Sequence, residues 1–137
     1  MTLAMGSITF KLVGVHLAKT ILVVDDSASL RQVVKMALTS VGYEVIDAAD
    51  GKSALALLDG RTVSMAICDV NMPVLNGIEF VKAVKLLPHY KFLPIMMLTT
   101  ESQDAAREQG KAAGARAWMV KPFAPSQLVK AVDKLCP

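Results

Sequence analysis

From Thr20 onward, short unbroken apolar runs alternate with longer stretches in which apolar residues return every three or four positions. The first kind marks strands covered on both faces, the second helices with one buried stripe. Ile21 to Val24 is such a run and predicts a fully buried strand. Leu30, Val33, Val34, Ala37, Leu38 and Val41 then fall at helical spacing, and Gly42 stops the helix. The same reading predicts further strands at Tyr43 to Ala48, Ser64 to Cys68, Ile95 to Leu98 and Ala117 to Val120. Helices are predicted at Ser53 to Leu58, Ile78 to Leu86, Ser102 to Ala113 and Ser126 to Leu135. Strands and helices in strict alternation predict an α/β fold on a parallel sheet.

Composition narrows this to one unit. The 137 residues, 53% hydrophobic and 20% charged, suffice for one domain with a real core and not for two. The net charge of +3 invites a polyanion partner, but Lys11 and Lys19 supply two of those charges and the later basic residues form no run. Direct nucleic-acid binding is set aside on that ground. The apolar stretch from Ile8 to Val15 is broken by Lys11 and falls far short of the roughly 18 residues of a membrane span. It reads as part of an N-terminal extension, residues 1–18, ahead of a domain at 19–137, with no signal peptide and no membrane insertion. Cys68 and Cys136 make neither a zinc spacing nor a disulfide framework, which points to a reducing, cytoplasmic setting.

In an open parallel sheet, ligands gather beyond the carboxyl ends of the strands, where the connectivity reverses. There the sequence puts Asp25 and Asp26 after the first strand, Asp69 after the third, Thr99 and Thr100 after the fourth, and Lys121 and Pro122 after the fifth. Singly, each has an ordinary structural use. Asp25 or Asp26 suits an N-cap, and Asp69 opens a turn rich in Asn71, Pro73, Asn76 and Gly77. Thr99 and Thr100 suit a helix cap with Glu101 favoured by the helix dipole, and a lone lysine such as Lys121 is usually solvated.

Together they are harder to explain that way, because three neighbouring carboxylates raise one another's pKa unless a cation sits among them. An all-oxygen set that leaves room for a phosphate selects Mg²⁺ over Zn²⁺. His16, in the tail, and His89, in a loop, are not placed to compete. A carboxylate beside Mg²⁺ can attack phosphorus and form an acyl phosphate. In-line transfer wants a metal, a cation and a hydrogen-bond donor on the three equatorial oxygens, which Mg²⁺, Lys121 and Thr99 would supply.

Four ordered motifs now carry a family resemblance. They are Ile21-Leu22-Val23-Val24-Asp25-Asp26-Ser27, Cys68-Asp69-Val70-Asn71-Met72-Pro73 through Asn76-Gly77, Met97-Leu98-Thr99-Thr100-Glu101, and Lys121-Pro122-Phe123. Over about residues 19 to 137 the chain resembles the receiver domain of bacterial response regulators, above all the stand-alone, CheY-like receivers. The resemblance implies a flavodoxin-like fold, a five-stranded parallel sheet of order 2-1-3-4-5. It implies Asp69 as phosphoacceptor; Asp25, Asp26, Asp69 and the backbone carbonyl of Asn71 as Mg²⁺ ligands; Thr99 as switch hydroxyl; and Lys121 as phosphate-contacting lysine. The Lys121–Pro122 bond is expected to be cis.

Two positions depart from the family pattern. Trp118 stands where relatives usually carry Tyr or Phe, so its buried and exposed rotamers are expected to balance differently. Thr100 replaces a common Ala and should narrow access to the site. Asn71 and Glu101 match positions that place the attacking water in relatives, which implies a short-lived phosphoryl group.

The function so implied is that of a two-component signalling switch, phosphorylated by a histidine kinase and catalysing only its own phosphorylation and dephosphorylation. Its output face would lie on the fourth helix, fifth strand and fifth helix, with Arg107, Lys111, Trp118 and Lys130, moving with Thr99. That mixed charge suits a protein partner. Because the sequence stops at Pro137, just after the last helix, output is expected through protein binding rather than a further domain. The flagellar motor switch protein, in chemotaxis, is the first candidate, with a phosphatase as a further partner; a phosphate sink or phosphorelay intermediate is the second reading. A Mg²⁺-dependent phosphatase with an aspartyl nucleophile is weakened by Asn71, which cannot deliver a proton two residues after Asp69. A flavodoxin is weaker still, since Asp25 and Asp26 would repel its phosphate.

Overall fold

The computed structural model describes residues 18–100 and 104–137. Its strands are β1 (Thr20–Val24), β2 (Glu44–Ala48), β3 (Met65–Asp69), β4 (Ile95–Thr99) and β5 (Ala117–Val120). The helices are α1 (Ala28–Thr39), α2 (Gly51–Leu57), α3 (Gly77–Lys85), α4 (Asp104–Ala113) and α5 (Pro125–Leu135). All strand pairs are parallel and the order is β2-β1-β3-β4-β5, the flavodoxin-like arrangement.

The unbroken apolar runs belong to the central strands. β3 and β4 are buried throughout, as is β1 from Ile21 on. Alternate residues face opposite ways and build two cores. Ile21, Val23, Met65, Ile67, Met96 and Leu98 meet Val34 and Leu38 of α1 and Leu128 and Val132 of α5. Leu22, Val24, Ala66, Cys68, Ile95 and Met97 meet Phe80, Val81 and Val84 of α3 and Ala54 of α2. Helices on both faces leave no solvent side for polar residues to occupy. The connectivity reverses at β1, which lies between β2 and β3, so a crevice opens beyond Val24 and Asp69.

The local ends differ from the sequence reading in instructive ways. Neither Asp25 nor Asp26 caps α1: the N-cap is Ser27, whose Oγ accepts from the Leu30 N–H at 3.2 Å. The stripe of α1 is narrower than predicted, with Val33 and Val41 47% and 51% exposed. Neighbouring helical positions point about 100° apart, so Val33 cannot share the direction of Val34, and Val41 lies beyond the helix end. α2 begins at Gly51 rather than Ser53, because Asp50 caps it by accepting from the Ser53 N–H at 2.7 Å. Gly42 follows α1 with φ +98°, the left-handed conformation that a stop there requires.

The proposed extension falls, apart from Ala18, outside the described residues, as do His16, Glu101 and the predicted helix start at Ser102. Cys68 and Cys136 are both buried and free. No helix among the described residues is long and apolar enough to cross a membrane.

Candidate functional site

The carboxyl ends of β1, β3, β4 and β5 converge in the crevice. Asp25 directly follows β1, wholly buried, its carboxylate accepting from the Ser27 N–H at 2.8 Å. Its carbonyl accepts from Arg31 Nη1 at 2.7 Å, and Arg31 Nε is paired with Asp47 at 2.9 Å. Asp69 ends β3, buried, with the Asn71 N–H at 3.4 Å from Oδ1. Asp26 is exposed at the mouth, yet one oxygen from each of Asp25, Asp26 and Asp69 lies within 4.8 Å of the others.

Lys121 is not the solvated lysine that its position alone allows. Its Nζ lies 3.0 Å from Asp25 Oδ2 and 3.5 Å from Asp69 Oδ2. The backbone holds it there through the Lys121 N–H, which donates to the Thr99 carbonyl at 2.6 Å. The Lys121–Pro122 bond is cis. Thr99 is fully buried at the end of β4, while Thr100 and Asn71 are exposed.

Burial pushes the Asp69 carboxyl above its ordinary range, and the charges of Asp25 and Asp26 add to this. The Lys121 ammonium and the Asn71 N–H pull it back. Three carboxylates against one ammonium leave a compact, oxygen-lined, electronegative pocket, and among the described residues no imidazole or thiolate joins the cluster. Such a donor set fits a hard divalent ion of the Mg²⁺ kind. The neighbouring Cys68 is no competitor, since burial raises its thiol pKa and keeps it protonated.

Residues 21–133 match the response regulator receiver domain. The chain belongs to that family. Over 115 residues this receiver is 38% identical to chemotaxis protein CheY1 of Helicobacter pylori, covering 82% of this chain and 93% of that one. The solved structure of CheY4, a chemotaxis response regulator of Vibrio cholerae, is similar with a TM-score of 0.84 and 49% identity, covering 87% of this chain and 99% of that one. The receiver domain of a sensor histidine kinase from Pseudomonas aeruginosa, solved with a magnesium ion coordinated in its active site cleft, is similar at a TM-score of 0.80 and 26% identity, covering 87% and 98%.

The receiver's other predicted surface is partly assembled. Arg107 and Lys111 of α4 and Trp118 of β5 line one cavity of about 750 Å³, together with Asp104, Glu108 and Arg116. Lys130 is exposed on α5 and does not line it. Glu101 lies outside the described residues. Sequence reading missed Arg31, which braces the Asp25 backbone, because a single arginine in a helix carries no signal of a contact six residues back. It also passed over Gly77 as a mere turn residue, although a Cβ there would meet the Asp69 carbonyl oxygen.

Proposed function

We propose that this receiver takes a phosphoryl group from the phosphohistidine of a sensor kinase onto Asp69 and signals by phosphorylation-dependent protein binding in chemotaxis. The observation that carries this is the Asp25, Asp26 and Asp69 cluster with Lys121 lodged against two of its members. A carboxylate oxygen of Asp69 attacks phosphorus as the phosphorus–nitrogen bond breaks, and the electron pair of that bond returns to the imidazole. Asp25, Asp26, Asp69 and the Asn71 carbonyl would hold Mg²⁺, which when bound neutralises charge on the phosphoryl oxygens. Lys121 answers a second oxygen with its ammonium, and the Thr99 hydroxyl meets a third.

Receivers are signalling proteins rather than enzymes in the ordinary sense, and this one would act only on its own acyl phosphate. Movement of Thr99 and Trp118 alters the surface around Arg107, Lys111 and Lys130, which a protein such as the flagellar motor switch component reads. A cytoplasmic location follows from such partners. Asn71 and Glu101 favour a short phosphoryl lifetime.

Intact mass after incubation with a small phosphodonor and Mg²⁺ tests the reading: one phosphoryl adduct on wild type and none on Asp69→Ala is expected. Absence of the adduct from wild type would overturn it, and persistence for many hours would contradict the short lifetime. A pull-down of the motor switch protein with and without beryllofluoride then separates motor binding from a phosphate-sink role.

A further inference from the structure

Helix α4 carries a glycine at its seventh position, where alanine would form a better helix. Gly110 is the one buried residue of that helix. A Cβ placed on it would lie 2.6 Å from Cζ3 and 3.5 Å from Cε3 of Trp118, with Ile78 Cδ1 at 3.4 Å. Those two indole atoms belong to the fused benzo ring, which a phenol or phenyl in the same place lacks. The indole N–H is shielded from solvent and finds no hydrogen-bond acceptor among the described residues. A buried donor without an acceptor forfeits the bond that it makes to water when it swings out.

We propose that Gly110 is the positioning residue for Trp118: its missing side chain forms the seat that admits the indole against α4, and the unpaired N–H keeps that seat only weakly favoured. Seated and unseated indole are thus two nearby states, and the seat residue sets their balance. This deepens the switch reading and rests on it for its consequence, because the ring forms a wall of the cavity beside Arg107 and Lys111. The seat itself exists with no phosphoryl group present, so its failure is distinguishable from failure of that reading.

Trp118 is the sole tryptophan, so intrinsic fluorescence reports on the seat directly. The experiment compares wild type, Gly110→Ala, Trp118→Tyr and the double variant, each without phosphodonor, by emission maximum, acrylamide quenching and urea unfolding midpoint. In the tryptophan background, Gly110→Ala should move emission to longer wavelength, raise quenching and lower the midpoint. In the tyrosine background the same change should raise the midpoint, since only helix propensity remains. The reversal of sign is a readout that a merely structural glycine would not give. Unchanged emission and quenching in a folded Gly110→Ala protein, or an equal midpoint shift in both backgrounds, overturns the proposal. If Gly110→Ala does not fold with tryptophan yet folds with tyrosine, the midpoint arm supports it; failure to fold in both overturns it.

Discussion

A Cβ on Gly77 would stand 2.2 Å from the carbonyl oxygen of Asp69, so α3 can begin where it does only with glycine in that place. The approach is close because the Gly77 N–H donates to the Val70 carbonyl at 2.9 Å, drawing the helix start against the β3 end that presents Asp69. The obstacle is backbone, which cannot swing aside as a flexible side chain does. Gly77→Ala should therefore destabilise the fold by about 2–3 kcal/mol, the range of forced overpacking. Phosphodonor uptake, assayed at a temperature where the variant is fully folded, should also fall, since relief of the clash displaces Asp69. A urea midpoint equal to that of wild type would show that the turn relaxes without cost.

The ammonium of Lys121 offsets two carboxylates, one of them fully buried. Lys121→Met keeps much of the stem and removes the charge, leaving the Asp25 carboxylate in a dry site with the Ser27 N–H still donating to it at 2.8 Å. Breaking a buried pair from one side costs about 3–5 kcal/mol; with Lys121 still partly open to water, about 2 kcal/mol is expected in metal-free buffer. The same change makes the pocket more negative, so Mg²⁺ should raise the variant's melting temperature more than that of wild type. Thermal unfolding in EDTA and in Mg²⁺ checks both halves. Equal Mg²⁺ shifts for the two proteins would argue against the acidic cluster as the binding site.

Much of this was readable from residue order, for identifiable reasons. The central strands show as runs such as Ile21 to Val24 because sheets covered on both faces tolerate no polar alternation. Asp25, Asp26, Asp69, Thr99 and Lys121 could be placed together because all sit at carboxyl ends of parallel strands. Hydrogen-bond competition at the helix starts was not readable. Asp25 looked like a cap, but its carboxylate turns to the Ser27 N–H and to Lys121, and Ser27 takes the capping role. Nor was the seat of Trp118 on Gly110, which depends on how far apart α4 and β5 lie rather than on either residue's type.

Val74 has φ +72°, and the Leu75 N–H donates to the Pro73 carbonyl across it at 2.8 Å. That bond closes a three-residue γ-turn of the strained hand, a conformation that a β-branched side chain resists. Val74 is 77% exposed, so little packing offsets the strain. Val74→Gly removes about 1–3 kcal/mol of strain against roughly 0.5–1 kcal/mol of added chain entropy in the unfolded state, for a net gain of about 1 kcal/mol. The urea midpoint should rise accordingly, and a fall would show that the valine contributes packing that its exposure conceals.

Tyr43 ties the entrance of β2 to α5, its hydroxyl donating to Asp133 at 2.5 Å. Burial, then the hydrogen bond to Asp133 and its charge, push the phenol from an ordinary value near 10 up to about 12. Between those values the unfolded chain has lost the phenolic proton while the native chain keeps it, so the unfolded state binds fewer protons and stability falls as pH rises. The contribution is whole below pH 10 and gone above about pH 12. Because the phenol is partly solvated, screening reduces it to roughly 1 kcal/mol. Tyr43→Phe removes this titration and leaves the lysines common to both proteins. Unfolding midpoints should therefore favour wild type at pH 8, and that advantage should shrink steadily as the buffer is raised toward pH 11.5. A constant difference across that interval would mean that the hydroxyl does not titrate differently in the folded and unfolded chains.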